Sequence, residues 1–333
     1  MLRLPVVRFK HRSSLAPNVL LLGYVFGGWA AGLGLLLIPA WPASAAGVLL
    51  VAHTLLLSGY LVHECIHDTI FAHRANNFRL GTALAWLNGG CYPGFTELRK
   101  KHLHHHADRM DPVSWDFRAF LRGLPAAARG VVFGLEWLHV PAIELLMRVE
   151  GMSRPFRRAS WRGERVRMVG TLVVRLALFA ALAVVSRRAA VLYLVAWMLF
   201  VVAMRFFDAF HHTFDLVVLP DYDTRFVPPP AWDRAFEQRN TYSNVLGFRN
   251  PILNLLVINF GFHNAHHAKP GVPWFRLPAL DRTLHGADQA QVRPAWHLVR
   301  NFHRYRVRRL LASSLPEAPD VNIGAVAVSF LTL

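Results

Sequence analysis

Val62-His63-Glu64-Cys65-Ile66-His67-Asp68 is the stretch on which the fold turns. The chain leading into it, from about Ala43 to Val62, is almost wholly apolar. At 1.5 Å per helical residue that run rises about 30 Å, the thickness of a bilayer's hydrocarbon core. A membrane-crossing helix therefore delivers two histidines to the edge of the lipid. Residues three or four apart on a helix share a face, so His63 and His67 address one point.

Two other stretches repeat the chemistry: Lys101-His102-Leu103-His104-His105-His106 and Phe262-His263-Asn264-Ala265-His266-His267. The three clusters read HxxxH, HxxHH and HxxHH, and within each the imidazoles are expected to converge. Eight such rings, with a ninth at His211 or His212, exceed the needs of one ion, since a tetrahedral zinc takes about four ligands. The count implies two metal ions with room left for oxygen or water. Imidazole suits iron, zinc, copper and nickel alike, so the residue type does not choose the metal. His104 points off the shared face of its cluster and reads as a surface residue. His53, midway along the apolar run, reads as a neutral histidine hydrogen-bonded inside the bundle. His73, His139, His285, His297 and His303 are expected to be structural or solvated.

The composition supports a membrane protein: 54% of the 333 residues are hydrophobic and the formal charge is +17. The arginines flank apolar spans instead of forming a basic domain, so nucleic acid is not an expected partner, and basic segments facing anionic lipid are the simpler reading. Cys65 and Cys91 form no CxxC pair, which suits a reducing compartment. Four spans are expected, at about 19–38, 43–62, 168–185 and 189–204, with the rest of a single domain (63–167 and 205–333) forming a cap. No cleavable signal peptide is expected, because the first apolar run is too long. An even number of crossings places both termini and every histidine cluster on one side, and the arginine bias makes that side the cytoplasm. Leu80 to Cys91 is too short to span and reads as re-entrant or interfacial. Residues 120–150 read as amphipathic and surface-lying, Pro251 to Phe262 as a short apolar lead into the third cluster, and Trp274 with Arg276 as a membrane-surface anchor. Asp108, Asp111 and Asp116 read as solvated or as supports for the histidines. Residues 216–250 read as a polar loop.

His63-Glu64-Cys65-Ile66-His67 also matches HExxH, the zinc-protease helix with a glutamate base. That reading, like a metal transporter, leaves the two HxxHH clusters unused.

The three clusters together resemble the membrane fatty acid desaturase and hydroxylase superfamily, over roughly residues 19–290. Pro270-Gly271-Val272-Pro273-Trp274-Phe275-Arg276-Leu277-Pro278, after the third cluster, looks like the corresponding stretch of acyl-lipid desaturases. The resemblance implies an all-α integral membrane protein whose four transmembrane helices carry a cytoplasmic helical cap with a histidine-ligated, non-haem di-iron site. The implied metal ligands are His63, His67, His102, His105, His106, His212, His263, His266 and His267, with no catalytic residue beyond them. His212 is preferred over His211 because acyl-CoA members carry an asparagine four residues before this ligand; here Asp208 takes that place. Glu64, Asp68 and Asp208 are the implied carboxylate supports. The implied reaction uses dioxygen and two electrons from an external reduced, ferredoxin-like donor to desaturate a fatty acyl chain of a lipid or thioester. The alternative within the superfamily is a lipid or carotenoid hydroxylase or ketolase. A bacterial inner membrane is the expected location.

Overall fold

The computed structural model describes residues 8–247, 250–286, 291–293, 295–312 and 329–332. Arg3 and most of the chain beyond Ala312 lie outside them.

Helix α1 (Leu15–Leu37) and helix α2 (Trp41–Ile66) form the first hairpin, broken at Pro39 and Pro42. The 26 residues of α2 rise about 39 Å, more than a hydrocarbon core of about 30 Å requires, and its last turn carries His63. Helices α8 (Arg165–Val185) and α9 (Arg187–Asp208) form the second hairpin. Its turn is a single residue, Ser186, whose hydroxyl accepts from the Ala189 N–H at 3.1 Å and caps α9. Among the described residues these four helices are long and apolar enough to cross a membrane. All four expected spans are present, each a few residues longer than expected.

The four spans are not equivalent. Of the most apolar stretch of α2, 72% is buried, against 11% for α8. Helix α2 is the axis, packed by α1, α9 and helix α3 (Arg74–Asn88). Gly32 and Gly47 let α1 and α2 approach closely: a methyl group on either would press on Val51 or on Leu36. Helix α8 is peripheral and offers Leu176, Leu178 and Val184 to lipid. Arg175 within it is accommodated by donating to the Trp86 carbonyl at 2.7 Å. Arg188 bonds the Leu36 and Ile38 carbonyls and the Ser44 hydroxyl, tying the turn of the second hairpin to that of the first.

Helix α3 runs beside α2 and ends where Asn88 donates to Ser58 at 3.1 Å; Gly89, at φ 87°, then turns the chain back. The helix begins six residues earlier than its apolar core because Asn77 bonds the Phe71 backbone and fixes the start. Helix α4 (Phe95–Asp108) follows and carries the second cluster. Helices α5 (Phe117–Gly123), α6 (Ala126–Trp137) and α7 (Ala142–Arg157) come next. Helices α6 and α7 meet at 114°, and Val131, Trp137 and Leu138 are exposed on the first, as suits a helix lying on a membrane surface.

The polar loop after α9 is more ordered than expected. Strand β2 (Leu216–Val218) pairs in parallel with β1 (Asp111–Val113), with Asp111 opposite Leu216, and helix α10 (Arg234–Arg239) follows. The fold is thus helical with one short ribbon, and that ribbon ties the segment after α4 to the segment after α9. A 3₁₀ stretch, Pro251–Val257, leads toward helix α11 (His263–Ala268), which carries the third cluster. Its Leu256 carbonyl is 2.9 Å from His53 Nε2, while His53 Nδ1 lies 2.7 Å from the Tyr24 hydroxyl. His53 is hydrogen-bonded on both sides, as its position implied. Trp274 departs from expectation. It is buried, its indole donates to Asn18 at 3.0 Å, and it secures the third cluster to the base of α1 instead of anchoring in lipid. Helices α12 (Leu277–Leu284) and α13 (Ala295–Arg304) complete the cap.

Candidate metal centre

The three histidine clusters come together at the cap end of α2. The His63 ring centroid lies 4.7 Å from that of His67, 4.5 Å from His102 and 4.5 Å from His266. Two groups result. His63, His67, His102, His106 and His266 each offer a nitrogen within 4.8 Å of the others, and so do His105, His212, His263 and His267. Imidazoles on one ion, with metal–nitrogen bonds of about 2.0–2.1 Å, stand no more than about 4.2 Å apart, so both groups are close to a coordination shell.

The clusters do not each converge on one point, as the spacing alone suggested. They interleave. On α4, His102 and His106 (i, i+4) face the first group and His105 faces the second. On α11, His263 and His267 (i, i+4) face the second group and His266 faces the first. An HxxHH helix therefore gives two rings to one ion and the intervening ring to the other, and lies between them.

His212 joins the second group, its Nε2 lying 3.0 Å from that of His105 and 2.7 Å from that of His263. His211 instead stacks on His263, 4.0 Å between centroids, outside both groups. His104 turns away as expected, but it is half-buried: its nitrogens meet Asp108 at 2.6 Å and the Tyr222 carbonyl at 2.9 Å.

The expected carboxylate supports sit elsewhere. Glu64 accepts from the Thr69 hydroxyl at 2.5 Å and the Trp274 N–H at 3.2 Å, and its other oxygen stops 3.9 Å short of His63 Nδ1. Asp68 pairs with Arg99 at 2.8 Å, and Asp208 accepts the Phe330 N–H at 3.1 Å. None of the three bonds a histidine of the two groups. Other acceptors do. Asp111 stands 3.1 Å from His105 Nδ1 and the Met110 carbonyl 2.9 Å from it; Glu237 stands 3.1 Å from His267 Nδ1. The Thr241 hydroxyl lies 3.4 Å from His212 Nδ1. Asp111 was legible as one of three acids following the second cluster, whereas Asp108 bonds His104 and Asp116 caps α5. Glu237 and Thr241 carry no local signal, because they reach the site from helix α10 and the residues just after it.

Burial, and then repulsion among neighbouring rings, holds His67, His102, His106, His212, His263 and His267 well below the ordinary histidine range. The same causes push His211 and His266 down to about 3. These eight rings are thus neutral at physiological pH, the form that binds metal. The inner Nε2 atoms of His63 and His267 have no hydrogen-bond partner, and those of the other rings meet only one another. Buried, neutral, converging and unsatisfied nitrogens fit a pair of metal ions. The five rings of the first group exceed what HExxH chemistry needs, and one oxygen of Glu64 is taken up by Thr69 and the Trp274 N–H.

A cavity of about 70 Å³ opens against the second group, lined by His105, His263, Phe117, Phe260, Asp208 and Phe330 among others.

A family model described as fatty acid desaturase matches residues 39–299. No curated protein matches the chain.

Proposed function

The chain belongs to the fatty acid desaturase family, an integral membrane family acting on lipid substrates by desaturase or hydroxylase chemistry, and from that premise we propose that it introduces a double bond into a fatty acyl chain. The observation that carries this reading is the interleaving of nine histidines into two facing groups beside an apolar-lined cavity.

His63, His67, His102, His106 and His266 would hold one iron, and His105, His212, His263 and His267 the other. When bound, such a pair supplies dioxygen activation and the removal of two hydrogens from unactivated carbons. The chain's residues do the rest. Asp111 and Glu237 accept the Nδ1 protons of His105 and His267, which fixes the tautomer and aims Nε2 inward. Phe117 and Phe260 keep water from the reacting face. The chain acts as one unit of four spans and cap. Lys10 and Ala72, from opposite ends of the first hairpin, exchange backbone hydrogen bonds with Ile70 and Arg8, which puts the described N-terminal residues on the metal side. Basic flanks support reading that side as the cytoplasm, and a bacterial inner membrane as the location is part of this proposal. Exposed Arg157, Arg162 and Arg165 suit docking of an acidic, ferredoxin-like electron donor.

Purified protein is expected to contain two irons per chain, and an expressing host grown in air to gain an unsaturated acyl product. One zinc and no lipid change would overturn the reading; a hydroxylated product would move it to the hydroxylase branch.

A further inference from the structure

The space beside the histidine groups is largely filled by this chain itself. Ser329, Phe330, Leu331 and Thr332 are partly or fully buried there, next to α2 and α4. The Phe330 ring centroid lies 5.9 Å from that of His63 and 6.0 Å from that of His102. Leu331 packs on α2, where a methyl group placed on Gly59 would stand 3.3 Å from it.

Three buried charges from three different helices hold the segment. Asp208 accepts the Phe330 N–H at 3.1 Å. Glu144 accepts the Ser329 N–H at 2.7 Å, the Ser329 hydroxyl at 2.9 Å and the Thr332 hydroxyl. Lys101 donates to the Ser329 carbonyl at 3.4 Å and to the Thr332 carbonyl. Among the described residues, Lys101 and Asp208 hydrogen-bond nothing else, an uncommon placement for two charges buried to 7% and 9% exposure.

The remaining cavity, about 70 Å³, is far below the roughly 300–1,000 Å³ of a small-molecule site. An acyl chain and the segment do not fit together. We propose that Ser329–Thr332 is a removable plug, seated where the substrate's acyl chain lies against the histidine groups and displaced when that chain enters. The proposal rests on the acyl-chain reading above. Displacement does not strand the charges: Lys101 lies within electrostatic reach of both Glu144 and Asp208, so the three can compensate one another once the backbone has gone.

The test is photolabelling of metal-loaded protein in nanodiscs with a diazirine-bearing stearate, without reductant, and mapping of the labelled peptides. Full-length protein is compared with a deletion of residues 329–333 and with Phe330→Ala, metal content being measured for each. Removing a state that competes with the probe raises apparent affinity, so chamber labelling at residues 110–117 and around Phe260 is expected to rise about fivefold or more in the deletion and less in Phe330→Ala. Equal labelling in metal-replete forms overturns the plug and leaves the acyl reading intact. A deletion that loses its metal shifts the decision to Phe330→Ala, where unchanged labelling with metal retained overturns the plug. Absence of chamber labelling in every form overturns both the plug and the acyl reading.

Discussion

The two histidine groups are built by different means. The group of five is held from behind by little: the outer nitrogens of His63, His106 and His266 have no partner, and Glu64 stops short of His63. The group of four has fewer rings, but three of them are braced, by Asp111, Glu237 and Thr241. A hydrogen-bonded Nδ1 fixes ring orientation and raises the basicity of the ligating nitrogen. One site is thus secured by ligand number and the other by outer support. The braced group turns three of its four rings, His105, His212 and His263, to the cavity, against only His102 from the group of five, so a coordination position left free for oxygen is of more use there.

The largest expected effect tests whether both groups are needed. His263→Ala should abolish oxidation and lower iron from two to one per chain; retained activity would mean that the second group is not part of the centre. His212→Ala should behave alike. Next comes the bracing. Glu237→Gln or Asp111→Asn should cost roughly 10- to 100-fold in metal affinity or activity, read by iron competition with a chelator. Glu64→Gln should change that measurement by less than about threefold, since its carboxylate contacts no ligand ring; an equal loss would erase the contrast between the groups.

Acid should act on the metal-free protein. His211 and His266 titrate near 3 in the fold and near 6.5 when unfolded. Between those values the unfolded chain holds more protons, so stability rises with pH and is lost as pH falls through 6.5 toward 3. The melting temperature of metal-free protein should therefore be lower at pH 5.5 than at pH 7.5, and bound metal, which keeps the folded rings unprotonated, should raise both melting temperatures without removing the difference. The smallest effect belongs to His211→Leu, which should keep two irons and lose only a few-fold in rate, as expected for a ring that stacks on a ligand without joining either group.

Much of this was legible in the sequence for a physical reason. The spans depend on runs of apolar residues, and the clusters depend on helical spacing; both are local. The assignment of His105 and His266 to groups apart from their own cluster-mates was not legible, because a helix lying between two ions looks like a helix facing one. Glu237 reaches His267 across 30 residues of chain, and Phe330 reaches His63 from far beyond any spacing rule. Trp274 was misread because a tryptophan beside an arginine suits a membrane interface as well as it suits a buried bond to Asn18. Local pattern located the metal-binding rings, while the parts that tune and cover them come from contacts distant in sequence.

Arg188 has a mechanical consequence. It clasps the far turns of both hairpins together, so the ends of the bundle remote from the histidine groups resist splaying. Any parting of the helices that admits a lipid tail sideways must then swing like a pair of tongs about that clasp, widest at the metal end. Cutting the clasp with Arg188→Met would free the pivot and let the tongs open along their whole length.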